Sequence, residues 1–353
     1  MKIAIFMPNW IGDAVMATPA LRAIRSHYSD ASIVAIVRPP IEDVLAGTDL
    51  VDRVILHQPK SDYSEGKGWR FVSRLREEDF ETAILFPNSL RSAWLAWLAG
   101  AKQRVGFSRD GRGLLLTDKL IPHSRINPNP EIDEYLRIAE HLGCENLTHQ
   151  MELGILPEEN ALLERFWESQ SSSLRSRELV CFNPGGAFGA AKHWSAQSFG
   201  ELGFRLAEER QKTILVLCGP AEREEARQIV RHANHPYVVS LAGMPPSIGL
   251  TKAAIRSAQL LVTTDSGPRH FAAPFHVPVV TLFGPTHIEW SETYYEKAKH
   301  LQLKMDCGPC QKRVCPLGHL KCMNDLTSGM VFNAVDELLK KENLQHYPKR
   351  KRA

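Results

Sequence analysis

Short apolar runs alternate with stretches of helical spacing along nearly the whole chain. Residues 2–7 form a buried-strand run, and after the loop 8–12 apolar residues recur at Val15, Leu21 and Ile24, at helical spacing. Residues 32–37, 51–56 and 82–86 read as further strands, the first ended by Arg38-Pro39-Pro40, with a helix over 69–76 before the last. Pro87-Asn88-Ser89 opens a helix through Arg91, Trp94 and Leu98, with Ser89 as its cap. An amphipathic helix over 131–142 closes this half. The second half repeats the pattern. Strands are predicted at 179–183, 213–218 and near Val238, and helices at 195–209, after Gly219-Pro220-Ala221-Glu222, and at 247–257. Residues 259–286 then read as an apolar run, a polar turn Asp265-Ser266-Gly267, a short helix carrying His270, and a second apolar run closed by Gly284-Pro285. That is a βαβ unit of a parallel sheet. The alternation predicts an α/β chain of two doubly wound domains facing a cleft. A polar, serine-rich stretch at 169–173 puts the boundary between 154 and 178. The expected domains are 1–160 and 175–328, followed by a helix and basic tail over 329–353.

Composition narrows the function classes. A chain of 353 residues can bury two full cores, and 24% charged with 43% hydrophobic residues is ordinary for a soluble globular protein. A net charge of +3, with no aromatics interleaved among base-reading residues, argues against a nucleic-acid partner. No run approaches the roughly 20 apolar residues of a spanning helix. The opening MKIAIFMPNWIGD soon turns polar and reads as a first strand, not a signal peptide, so a cytoplasmic location is expected. The seven cysteines are then expected to be reduced or bound to metal. The tail Lys349-Arg350-Lys351-Arg352 suits a solvated terminus or a weak contact with anionic lipid.

Several stretches carry candidate chemistry. The turn Asp265-Ser266-Gly267 stands where a strand ends and a helix begins, a place that favours an anion such as phosphate or, equally, an ordinary capped connection. The small residues from Pro184 to Ala191 let backbone approach a ligand, and Lys192 adds a point charge for a diphosphate. Glu222 is placed either to accept from ribose hydroxyls or merely to favour a helix start. Asp13 sits at the carboxyl edge of the first strand, where only Gly12 stands in place of the three glycines of a dinucleotide fingerprint. A nicotinamide or flavin role is therefore disfavoured, and an Asp there is most often a helix cap. Asn88 lies on the ligand side of the sheet. From Arg91 to Lys119 six cations face only Asp110 and Asp118, which suits either a solvated face or an acceptor bearing carboxylates or phosphates. Asn88, Arg91 and Arg104 are the acceptor-binding candidates, while the tryptophans suit core or interface. Cys307-x2-Cys310-x4-Cys315-x6-Cys322 has the close thiol pairs of a structural zinc site, with disulfides or free thiols as the alternatives.

The segments NWIGDAVMATPALRAIR, LFPNSLRSAW, NPGGAFGAAKHW and TTDSGPRHFAAPFHVPVVTLFGPT, spread in that order over nearly the whole chain, resemble the ADP-heptose:lipopolysaccharide heptosyltransferases of glycosyltransferase family 9, the heptosyltransferase II branch most of all. The resemblance implies a GT-B fold, with the acceptor site in the first Rossmann-like domain and the nucleotide-sugar site in the second. It implies transfer of L-glycero-D-manno-heptose from ADP-heptose to a heptose of the lipopolysaccharide inner core, with inversion and without a catalytic cofactor. It makes Asp13 the catalytic base instead of a cap. It assigns the donor diphosphate to Lys192, to backbone near Gly186 and Ala187, and to Asp265, Ser266, Gly267 and Pro268. His270 would touch phosphate or sugar, and Glu222 the adenosine ribose. A lipid-borne acceptor also implies peripheral placement at the inner face of the cytoplasmic membrane. The rival readings are another family 9 enzyme such as heptosyltransferase I, a GT-B-like sugar-nucleotide epimerase and, last, a non-catalytic nucleotide-binding protein.

Overall fold

Runs such as SIVAIV and LLVTT are apolar on both faces, and a parallel sheet covered by helices on each side is what buries such strands. A computed structural model, which describes residues 1–59, 66–123, 128–186 and 189–345, shows two such sheets. The chain divides into two compact units, one of Met1–Ile155 with Glu289–Tyr294, the other of Leu156–Ile288 and the chain from Tyr295 onward.

The first unit holds β1 (Lys2–Phe6), β2 (Ser32–Val37), β3 (Arg53–Leu56), β4 (Thr82–Leu85), β5 (Gln103–Phe107) and β6 (Asp118–Leu120). All pairings are parallel and the order is β3-β2-β1-β4-β5-β6. The second unit holds β7 (Leu179–Asn183), β8 (Thr213–Val216), β9 (Val238–Ser240), β10 (Leu260–Thr264), β11 (Val279–Phe283) and β12 (Ala298–Gln302), in the order β12-β11-β10-β7-β8-β9. Both orders are the same doubly wound pattern. In each sheet the winding reverses between two central strands, β1 and β4 or β7 and β10, and the loops leaving their carboxyl ends flank a ready-made crevice. Asp13 and Asn88 follow β1 and β4, and the Lys192 loop and Asp265 follow β7 and β10.

Two expectations need correction. The helical pattern after Gly12 is two helices, Ile11–Met16 and Thr18–His27, because Pro19 stands in the first turn of the second and restarts it. The helix expected around His270 is instead two 3-10 turns, Gly267–Phe271 and Ala273–Phe275. Pro274 accounts for this: in an α-helix its ring would meet the His270 carbonyl, and it has no N–H to donate. So short a segment has little dipole, and an anion there must be met by individual N–H groups and side chains.

The second core explains how the loop around Lys192 is anchored. Trp194, fully buried two residues after Lys192, packs edge-on against Phe199 with ring centroids 4.7 Å apart and donates its indole N–H to the Leu326 carbonyl at 2.7 Å. The C-terminal helix Ser328–Gln345 contributes Val331, Phe332 and Val335 to the same cluster, so it belongs to this core. The linking helix Pro157–Glu168 is tied to Ile248–Arg256 by a buried pair, Lys252 to Glu159 at 3.1 Å.

Candidate active site

In the second unit the residues around β7 and β10 form one hydrogen-bonded cluster. Asn183, the last residue of β7, donates to Thr263 Oγ1 at 2.9 Å and to Ser266 Oγ at 2.7 Å, while Thr264 Oγ1 donates to the Gly185 carbonyl at 3.0 Å. These bonds lock the loop after β7 to the turn after β10. Gly186 comes within ordinary contact of Ser266, since a Cβ placed there would lie 3.6 Å from the serine Cβ. Lys192 closes the cluster by donating to the Asp265 carbonyl at 3.1 Å and pairing with its carboxylate. Thr286, arriving from the end of β11, donates to the same carboxylate at 2.7 Å, and Arg269 pairs with it at 3.5 Å.

The electrostatics follow from that packing. Burial pushes the Asp265 carboxyl up, but Lys192 and Arg269, with hydrogen bonds from Lys192 and Thr286, outweigh it and hold the group below its ordinary range. Asp265 is therefore ionised. Burial, then the Arg269 charge, holds the fully enclosed His270 well below the usual imidazole range, so it is neutral. Lys192 and Arg269 against Asp265 leave one net positive charge beside backbone N–H groups, an environment that accepts a phosphate or diphosphate. Glu222 stands just before the helix Arg223–Ala233 without making a side-chain capping bond, and lies against the loop glycines: a Cβ on Gly185 would stand 2.6 Å from its Cγ. Its carboxylate thus borders the same crevice, at the carboxyl ends of β7 and β8. Ala187 lies outside the described residues.

In the first unit Asp13 is the third residue of Ile11–Met16, and that helix receives no side-chain cap from Trp10. The Asp13 carboxylate makes no capping bond either, so the capping explanation for an Asp at this position fails. Burial, reinforced by Glu131, raises its pKa to about 7. Glu131 opens the helix Glu131–His141 and is itself raised by burial and by Glu134. Tyr135 lies fully enclosed beside these acids, packed on Phe86 with centroids 5.2 Å apart. Asn88 Oδ1 accepts from Arg112 at 3.1 Å. Arg112, which the sequence grouped with the surface cations, is fully buried and also binds the Phe107 carbonyl at 2.7 Å. It therefore fixes Asn88 and the turn before the helix Leu90–Leu98. Arg91 is exposed on that helix, and its charge, with that of Arg38, helps burial to hold His57 down to about 4. Arg38 and Arg91 thus make a cationic group where β2 and β4 end. Arg104 is elsewhere: it sits at the start of β5, the opposite edge of the sheet, and its guanidinium binds the carbonyls of Leu115, at 2.6 Å, and Ala101, at 2.5 Å.

The model of glycosyltransferase family 9 (heptosyltransferase) matches residues 68–321. The chain belongs to glycosyltransferase family 9. Its similarity to lipooligosaccharide heptosyltransferase 2 of Campylobacter jejuni serotype O:2 is 29% identity over 98% of this chain and 100% of the relative. Among solved structures, Escherichia coli ADP-heptose lipopolysaccharide heptosyltransferase II superposes with a TM-score of 0.80 at 23% identity, covering 97% of this chain and 100% of that one. Escherichia coli heptosyltransferase WaaC with ADP-2-deoxy-2-fluoro heptose gives 0.71 at 19%, covering 96% and 99%. Both likenesses establish the fold as GT-B, and family membership makes the protein a glycosyltransferase.

Set against this family, the sequence-derived site divides cleanly. Gly186, Lys192, Asp265, Ser266, Gly267, Pro268 and His270 converge around two loops and Glu222 borders them, whereas Arg104 does not join Asn88 and Arg91. Asn183, Thr264, Thr286 and Arg269 complete the cluster of the second unit but went unread, as did Arg38 and Glu131 in the first unit. The strand-terminal residues carry a signal that could have found them: polar side chains closing fully apolar strands, as in LVCFN and LLVTT.

The zinc expectation at Cys307, Cys310, Cys315 and Cys322 is not supported. All four thiols and His319 border one small cavity, yet the four thiols are free and, among the described residues, no three His, Cys, Asp or Glu are disposed to hold an ion. The Cys315 sulfur accepts from backbone N–H groups of Leu320, Leu317, Gly318 and His319, which hold its pKa down, and Cys307 is exposed. The loop instead braces the turns at Ala191 and Pro285. The Arg313 carbonyl accepts from Ala191 N–H at 3.1 Å, and Gln311 N–H donates to the Pro285 carbonyl at 2.7 Å. Gly189 is required at this contact, with φ of 150° and room for no Cβ, which would lie 2.5 Å from the Arg313 oxygen.

Proposed function

We propose that this glycosyltransferase moves L-glycero-D-manno-heptose from ADP-heptose to a heptose of the lipopolysaccharide inner core, inverting the anomeric centre. The observation that carries the reading is Asp13, a carboxylate free of any capping duty and tuned by burial and Glu131 to about 7. A general base is most effective when its pKa lies near the working pH. The heptosyltransferase 2 relatives that align over almost the full length, and the related fold holding an ADP-heptose analogue, support the choice of donor and acceptor.

In this reading the first unit binds the acceptor and the second the donor. Asp13 takes the proton of the acceptor hydroxyl as its oxygen bonds to the anomeric carbon. The bond from that carbon to the diphosphate oxygen breaks on the opposite face, and ADP departs with the electron pair. Lys192, Arg269 and the backbone around Gly186 and Ser266 stabilise the charge developing on the diphosphate. Asp265 holds Lys192 in place, His270 donates as a neutral imidazole, and Glu222 accepts from the adenosine ribose. Arg91 and Asn88, with Arg38, bind the anionic acceptor. No resident metal or cofactor has a role in these steps. Because such an acceptor is anchored in lipid, the enzyme works at the membrane surface on the cytoplasmic side.

The test is product mass after incubation with ADP-heptose and either Kdo₂-lipid A or the same molecule already carrying one heptose. A heptose gained only by the second supports the proposal, and gain by the first reassigns the enzyme to the earlier transfer. Gain by neither, with ADP-heptose bound, removes the proposed acceptor and favours epimerase-like chemistry.

A further inference from the structure

The helix Leu90–Leu98 in the first unit is built inside out. Its fully buried core-facing residues are small, Ala93 and Ala96, continued by Ala99, with Leu95 packed only partly against the core, while Leu90 and both tryptophans point away. A surface helix ordinarily buries its bulky apolar side and shows charge to water. Here Leu90, Trp94 and Trp97, at spacings of four and three, share the outward face and are 51%, 49% and 47% exposed. The two indoles lie side by side with centroids 5.2 Å apart. The patch extends past the helix. The turn Arg112–Leu115, tied to Ser92 Oγ by Arg112 at 3.3 Å, presents Leu114 at 93% exposure. At the other end Arg76 binds the Leu98 carbonyl at 2.6 Å and lies over the ring of the exposed Trp69 at 5.0 Å.

Charge selects the occupant. Neither Leu90–Leu98 nor Arg112–Leu115 contains a carboxylate, and Arg91, Arg76 and Lys102 are exposed around the aromatics. Two copies meeting through this face in a two-fold pair would set like charges against each other. An anionic bilayer complements it on both counts: indoles partition to the headgroup level, and each basic side chain near the surface adds attraction. No helix among the described residues is long and apolar enough to cross a membrane, so attachment through this face would be interfacial.

We infer that the outward face of Leu90–Leu98, with Trp69 and Leu114, is the surface by which this protein docks on anionic lipid. The inference draws on the proposed function only for the reason a membrane is met; the face itself stands on its geometry.

The experiment is co-sedimentation of the full chain with vesicles of phosphatidylcholine alone or with phosphatidylglycerol added, without donor or acceptor. Wild-type protein should pellet with the anionic vesicles and stay in solution with the neutral ones. The Trp94→Ser, Trp97→Ser double variant, which empties no core position, should bind at least ~10-fold more weakly. The same variant should keep its thermal midpoint and its rate on a deacylated, water-soluble acceptor. Undiminished vesicle binding by the double variant overturns the inference, as does a wild type that binds neither vesicle. A wild-type dimer in analytical ultracentrifugation that the double variant abolishes would assign the face to a second copy and overturn it too. Vesicle binding is read without catalysis, so failure of the heptose-transfer reading and failure of this one are separate results.

Discussion

A carboxylate becomes a useful base at neutral pH only if its surroundings make ionisation costly, and Asp13 is so placed. Burial is the main cause, and Glu131 adds to it. The account therefore predicts kcat/KM for transfer rising with pH through an acid limb centred near 7. Glu131→Gln should move that limb to lower pH without abolishing turnover, a shift that a pH–rate profile would reveal. The linkage sign is the reverse of a paired carboxylate's. The folded pKa lies above the unfolded value, so the stability that Asp13 contributes is fully present below about 4 and is progressively lost as pH rises to about 7. The place of Asp13, in the helix start after the first strand, was legible, but residue type alone read it as a cap and only the family resemblance made it a base candidate. Glu131 was not legible: it reads as one more acid at a helix start, and only packing of that helix beside Ile11–Met16 gives it a role. Arg104 failed for the opposite reason. Its neighbours in sequence suggested an anion site, but its position at the start of a strand directs it to local carbonyls.

Among the elements, strands that are apolar on both faces were read well, whereas β5, β6 and β12 were missed. β5 and β6 carry Gln103, Arg104, Asp118 and Lys119, and β12 is half-buried throughout, so none shows the continuous apolar run of a central strand. Two contacts between elements make sharp tests. A Cβ on Gly185 would overlap Glu222 Cγ, whereas one on Gly186 meets nothing closer than 3.6 Å. Gly185→Ala should accordingly lower stability by about 1–3 kcal/mol in denaturant unfolding, and Gly186→Ala by clearly less. Lys252→Met strands the Glu159 carboxylate in a buried site. It should destabilise by roughly 3–5 kcal/mol, and pairing it with Glu159→Leu should recover part of that loss, as a double-mutant cycle by urea unfolding would measure.

At the scale of the molecule, one doubly wound plan occurs twice, and each copy places its chemistry at the loops leaving the two strands where the winding reverses. This much could be read from the alternation of strand and helix, because apolar runs and capped helix starts are local signals. The hydrogen bonds that join the loop 184–194 to the turn after β10 were not legible, since they link residues distant in sequence through side chains such as Asn183 and Thr286. The cysteine loop shows the same limit: its spacing suggested a metal, while its contacts make it a brace for the turns at Ala191 and Pro285.

The claim on which all of this rests is that Asp13 removes the acceptor proton and does nothing for the donor. The direct measurement is heptose transfer by Asp13→Asn beside its affinity for ADP-heptose from calorimetry. The account predicts an affinity within about 2-fold of wild type and a turnover lower by at least ~100-fold. A rate close to wild type with the donor still bound would contradict it.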